Sequence, residues 1–190
     1  MNEEIQKKFI TELDAVLNKK GFRFIKSKQQ WERKALKSDI EWVHLNFGLS
    51  VINPSFGVTY KDFARLFPKE ICSVDTVSRM VSPITGVTYT EKSDPKLMSQ
   101  QISELSIKEL VFLCDRLSVI NHLISEQVTN WPVSSYSARI RLLPLLLVQQ
   151  GNINKALNCV KKFNRESIGK DQFLPNYGSF TDSFVGIYDA

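Results

Sequence analysis

The chain has 190 residues, of which 43% are hydrophobic and 24% charged, with a net charge of +5. These are globular proportions, and they exclude a disordered chain, a collagen-like repeat and a disulfide scaffold. Apolar runs stay short of the ~18 residues that a membrane span needs, and the polar start, Met1 to Lys8, does not read as a secretory signal.

Residues 3–20 are expected to form an amphipathic helix, because Ile5, Phe9, Leu13, Val16 and Leu17 recur at spacings of three and four. Lys19 and Lys20 suit the negative end of the helix dipole, and Gly21 the residue just beyond it. The period then changes. Phe22 to Lys26 is aromatic and β-prone, and Ser27-Lys28 turns it into a second strand at Gln30–Ala35, centred on Trp31. Residues 40–51 are the best strand pattern. Val43, Leu45, Phe47, Leu49 and Val51 alternate with His44, Asn46, Gly48 and Ser50, which predicts one buried and one wetter face. Asn53-Pro54-Ser55 is a turn signal, and Phe56, Val58 and Tyr60 resume the alternation, so an antiparallel hairpin is expected. Phe63, Leu66 and Phe67 fit a short helix ending at Pro68, and Val87–Thr90 a fifth strand.

From residue 93 the pattern is helical. Ser93-Asp94-Pro95 offers an N-cap with proline at the first helical position, and Ser106 to Glu109 a capping box. An apolar stripe from Ile107 through Leu110, Val111, Cys114, Leu117 and Ile120 to Ile124 fits one long helix, or two broken near residue 105, ended by Trp131-Pro132. Residues 136–150 are expected to form a buried helix, apolar all round at 142–148, which Pro144 should kink or force to start closer. Gly151-Asn152 leads into a last helix with Ile153, Ala156, Leu157, Val160 and Phe163 on one face. This αα-hairpin resembles one tetratricopeptide unit, without a second copy. The tail, 171–190, holds Phe173, Tyr177, Phe180, Phe184 and Tyr188, too aromatic for a free tail, and is expected to pack back on the domain, with a partner-binding segment as the alternative. The predicted architecture is a single α+β domain over 1–190. A helix and antiparallel sheet occupy 1–92, and a helical half with the aromatic tail occupies 93–190.

Chemistry-bearing motifs are scarce. Dinucleotide, P-loop, zincin, nucleophile-elbow and EF-hand spacings do not occur; Gly48-Leu49-Ser50 begins like an elbow but lacks the second glycine. Cys72, Cys114 and Cys159 are far apart and unpaired in spacing, so they read as reduced, with Cys114 and Cys159 as small buried hydrophobes, which suits the cytoplasm. The pattern calls for no cofactor and no metal. His122 reads as a structural helix residue. His44 shares the polar strand face with Trp42, Asn46 and Ser50, a set that could grip a partner. A general base would need a nucleophile or acid in reach, and the sequence offers none. Asp39 and Glu41 flank the strand as edge-protecting charges.

Residues 1–40 carry 10 basic and 6 acidic side chains, so most of the excess charge lies there. Lys19, Lys20, Arg23, Lys26, Lys28, Arg33, Lys34 and Lys37 surround a single acid, Glu32, and interleave with Phe22, Phe24 and Trp31. Such a hairpin could hold phosphates and stack bases; the same alternation also describes any hairpin with one buried face.

The stretch Phe9 to Leu13, through Gly21-Phe22-Arg23-Phe24, to Trp31-Glu32-Arg33-Lys34, with the Leu45-x-Phe47 alternation after it, resembles a group of small bacterial α+β domains that resemble, or neighbour, immunity proteins of polymorphic toxin systems. The resemblance covers about the first third of the chain. It implies a cytoplasmic, non-enzymatic protein that neutralises a cognate toxin domain by binding it, with no catalytic residues to carry over. A basic inhibitor suits an acidic toxin surface, or a site away from the nucleic-acid groove. The partner-binding candidates are Trp42, His44 and Asn46 on the sheet face and Arg23 and Arg33 on the basic hairpin. Nucleic-acid binding through residues 19–37 is the alternative; the partners do not include a membrane.

Overall fold

The computed structural model describes residues 1–36, 39–68, 75–125, 132–133, 135–167 and 177–189. The fold is α+β: an N-terminal helix, an antiparallel sheet and a helical C-terminal half. The chain forms two compact units, Met1–Thr59 with Val77–Asp115, and Tyr60–Thr76 with Arg116–Ala190.

The first unit begins with α1 (Glu3–Leu17). The Asn2 side chain caps it by accepting from the Glu4 N–H, and Glu3 and Glu4 lie at the positive end of its dipole. A 3₁₀ turn over Asn18–Lys20 closes on Gly21, whose φ of 85° is open to glycine at little cost. The sheet follows as β1 (Arg23–Ile25), β2 (Gln30–Lys34), β3 (Ile40–Phe47), β4 (Val51–Thr59) and β5 (Thr76–Met80), adjacent in that order. A short β6 (Tyr89–Thr90) also pairs with β4. The short helix α2 (Val81–Thr85) packs against β4, and α3 (Pro95–Cys114) against α1 and β4. Asp94 caps α3 through the Lys96 and Leu97 N–H groups, with Pro95 as its first residue.

Cross-strand pairs sort the side chains onto two faces. Phe24–Trp31–Val43–Phe56, Arg33–Glu41–Val58, Leu45–Pro54 and Phe47–Ile52–Tyr89 share the face covered by α1 and α3. The Trp31 indole N–H donates to Asp14 on α1 at 2.8 Å, and the Tyr89 hydroxyl to Gln101 on α3 at 3.2 Å. With Phe9, Leu13, Leu17, Met98 and Ile102 these residues make the core of the unit.

The strand at 40–51 is shorter than its alternation suggests. Val43 and Leu45 are buried as expected, but β3 ends at Phe47, and Leu49, 94% exposed, sits at a hairpin tip closed by the Gly48 N–H on the Val51 carbonyl. The turn therefore lies at 48–50, not at Asn53-Pro54-Ser55. Pro54 lies inside β4 opposite Leu45. In the alternating antiparallel ladder its nitrogen faces away from β3, where no donor is required. On that side β6 reaches only Val51 and Ile52, and the Val77 carbonyl of β5 lies at Gly57.

Two helical expectations are corrected. α3 runs without a break through residue 105, and Ser106 is buried with its hydroxyl on the Ser103 carbonyl rather than capping a helix. The break comes at Asp115, in extended conformation. Val111, Leu117 and Ile124 are exposed, so the apolar stripe is not continuous. Of the fifth strand only Tyr89–Thr90 forms. Cys72, Trp131 and Phe173 lie outside the described residues.

In the second unit, a 3₁₀ turn over Lys61–Arg65 is followed later in the chain by α4 (Arg116–Ile124), α5 (Tyr136–Gln149), α6 (Ile153–Ser167) and α7 (Tyr177–Tyr188). Ser135 caps α5, which carries Pro144 within it, and Gly151 (φ 74°) makes the tight α5–α6 connection. The described part of the aromatic tail, α7, packs back as expected. Phe180 and Phe184 of α7 lie 5.0 and 6.1 Å from Phe67, and all three are buried. Arg116, 5% exposed, makes two bonds to Asp62 at 2.8 and 3.0 Å and lies 4.5 Å over the Tyr60 ring.

Candidate functional site: the open face of the sheet

The second face of the sheet carries the rows Arg23–Glu32–Trp42–Gly57, Ile25–Gln30–His44–Ser55, Lys34–Ile40–Thr59 and Asn46–Asn53. Every residue of this face is half-buried or exposed except Gly57. Trp42 explains that exception. A Cβ built on Gly57 would stand 2.5 and 2.8 Å from the Trp42 ring atoms Cζ2 and Cε2 and 2.3 Å from the Val77 carbonyl oxygen. The missing side chain thus makes room for the indole to lie flat across β4 in the middle of the face. Sequence reasoning singled out Trp42 but not its seat. The signal was a glycine amid the β-branched and aromatic residues of a strand, a common mark of close approach.

Of the five expected site residues, four share this face. Trp42, His44 and Asn46 project from β3, and Arg23 joins the Trp42 row from β1. Arg33 does not join them. It projects to the helix-covered face, where its Nε donates to Glu41 at 2.5 Å and one terminal nitrogen to the Lys20 carbonyl at 2.8 Å, with the guanidinium 4.5 Å from the Phe22 ring centre. One residue of offset from Glu32 decides this, because strand side chains alternate.

Burial lowers the His44 pKa below its ordinary 6.5, so the ring is neutral at pH 7. Ser55 is directly opposite, yet no side-chain hydrogen bond joins the two among the described residues. The face therefore presents His44 as a neutral polar ring beside an indole. Comparison with protein-family models, curated proteins and solved structures gives no match.

Beside the Trp42 row a cleft of about 590 Å³ opens over β1, β2 and the start of β3, lined by Gly21, Arg23, Ile25, Glu32, Arg33, Lys34 and Ile40. Glu32 is already occupied, accepting from Lys28 at 2.7 Å and Gln30 at 2.6 Å. Arg23 and Lys34 make no ion pair among the described residues.

The titratable groups on the helix-covered face are committed to structure. Glu41, 7% exposed, lies between Arg33 and Cys114, whose thiol donates to it at 3.4 Å. Desolvation, then the Glu41 charge and hydrogen bond and the Asp39 charge, push the Cys114 thiol up to about 12 against the opposing pull of Arg33. A thiol held protonated is a poor nucleophile. Among the described residues no group of His, Cys, Asp and Glu is placed to hold a metal, and no helix is long and apolar enough to cross a membrane.

Proposed function

We propose that this protein acts by binding, as a cytoplasmic bacterial immunity protein that neutralises a cognate toxin domain through the open face of its sheet. The observation that carries the reading is the Trp42 indole seated on Gly57 at the centre of a mostly polar face. A large ring held flat has little conformational freedom left to lose, and aromatic anchors within polar surroundings dominate protein–protein recognition. Arg23 and Glu32 continue the same row, with His44 and Asn46 on the same strand. Inhibition by contact needs such a surface and no chemistry.

Nucleic-acid binding has less support. The aromatic residues interleaved with the basic hairpin are turned away from solvent: Phe22 and Trp31 are buried, and Phe24 packs on Trp31 at 4.8 Å. Stacking of bases needs free ring faces. Lys28 and Arg33 are spent on Glu32 and Glu41.

The test is co-purification with the product of the adjacent gene, followed by growth rescue of cells expressing that product. Association and rescue, both lost in Trp42→Ala, support the reading. If the two proteins do not associate, and growth is equal with and without this protein, the reading fails.

A further inference from the structure

Resting on that reading, we infer that the cleft over β1, β2 and the start of β3 seats an acidic, aliphatic-bearing segment of the partner protein. The register places Arg23 and Ile25 of β1, Lys34 of β2 and Ile40 of β3 on the open face, and all four line the cleft. Its volume, about 590 Å³, lies in the range of sites that enclose a ligand or a short piece of chain. Its charge is unbalanced. Among the described lining residues Glu32 is the one acid, already held by Lys28 and Gln30, whereas Arg23 and Lys34 have no ion pair among the described residues. Two uncompensated cations around a concavity attract carboxylates. Ile25 and Ile40 are half-buried and supply apolar floor between the cations, which favours an occupant with aliphatic side chains as well as acids.

The same features disfavour other occupants. A second copy would bring the same two cations into opposition. A nucleic acid would find phosphate partners but no ring to stack on among the described residues that line the cleft. Arg23 is also the first member of the row that leads through Glu32 to Trp42, so a segment held in the cleft would run on to the indole. The two features then form one continuous contact surface.

The experiment is an NMR titration of the ¹⁵N-labelled full chain. The probes are a synthetic hexapeptide alternating glutamate with leucine, its counterpart with glutamine for glutamate, and an oligothymidylate single strand. The glutamate peptide is expected to shift the amides of Gly21 to Ile25, Glu32 to Lys34 and Ile40, and to saturate. Its affinity should fall about tenfold in the doubly charge-reversed Arg23→Glu, Lys34→Glu protein, the scale of two partly exposed charge contacts. No shift at these amides, equal binding of the glutamine peptide, or stronger movement of the same amides by the oligothymidylate overturns the assignment. So does a concentration-dependent shift of these amides without any probe, which would mark self-association. Capture of the adjacent gene product separates the two levels. If wild type and charge-reversed protein retain it equally, binding stands and the cleft assignment falls. If the wild type does not retain it, the binding reading falls and the assignment with it.

Discussion

Gly57→Ala tests the seat of Trp42 directly. The added methyl carbon would lie 2.3 Å from the Val77 carbonyl oxygen and 2.5 Å from Trp42 Cζ2, where non-bonded carbons prefer about 3.5 Å or more. Relief requires β5 to move away from β4 by roughly 1 Å and the indole to lift by a similar amount. Overpacking of this kind costs about 1–3 kcal/mol. Two separate overlaps, one of them with backbone, place the cost near the upper end, about 3 kcal/mol. With a urea slope of about 2 kcal/mol per molar, the unfolding midpoint should fall by roughly 1.5 M. Trp42→Ala in the Gly57→Ala background should cost less than in the wild type, because it removes the indole overlap. The Val77 overlap should keep the double variant below Trp42→Ala alone. Such coupling between neighbours runs about 0.5–3 kcal/mol. A midpoint unchanged within roughly 0.2 M, together with an unmoved Trp42 indole N–H resonance, would show that the indole does not depend on this glycine.

Trp42→Ala should weaken partner binding by about 2 kcal/mol or more, while Asn46→Ala changes it little; titration calorimetry against the captured partner reads both. His44 has a folded pKa below 6.5, so the folded state resists its protonation. Stability should decline as pH falls below 6.5 and level off beneath the lower folded value, and His44→Gln should flatten that slope in urea midpoints measured from pH 7.5 to 5. Cys114, with its thiol near 12, should resist a thiol-reactive disulfide reagent at pH 8 until the protein is unfolded, tested with Cys72 and Cys159 replaced by serine; rapid labelling of the folded protein would contradict its burial against Glu41. In the second unit, Asp62→Ala should destabilise more than Arg116→Met, since the first takes a doubly bonded carboxylate from a buried cation and the second leaves only a partly exposed acid; equal urea midpoints for the two would refute this.

Where local pattern and local chemistry agreed, the sequence was legible. The spacing of Phe9, Leu13 and Leu17 places α1, Gly21 ends its last turn, and Asp94-Pro95 opens α3. The hairpin of β3 and β4 was misread for two reasons. Leu49 continues the apolar alternation past the end of the strand, although it is spent at an exposed tip. Pro54 resembles a turn residue unless the gap beside β4 is known, and only the sheet reveals it. Ser106 fits a capping box, yet the burial of α3 against α1 and the sheet carries the helix straight through. At the site, the alternation found Trp42, His44 and Asn46. It could not pair β1 with β2 in register, and that register alone sends Arg23 to the open face and Arg33 to the other. The buried Arg116, Arg139 and Arg141 of the second unit also escaped notice. Their signal was faint: Arg139 and Arg141 stand at the edge of the apolar run in α5, where a charge must find internal partners or aromatic faces.

Because Tyr60–Thr76 belongs with the helices after residue 115, while Val77–Asp115 returns to the sheet, no single cut in the backbone releases either unit whole. The ribosome meets the same constraint in time. The sheet and its covering helices have all their residues once position 115 has emerged, but Phe67 must wait for α7, and the Tyr188 hydroxyl reaches the Leu66 carbonyl across 122 positions of sequence. At a synthesis rate of about 5–20 residues per second, the remaining 75 residues take roughly 4–15 s. For that interval Leu66 and Phe67 on the nascent chain lack their final partners, which leaves a short apolar step open to a chaperone.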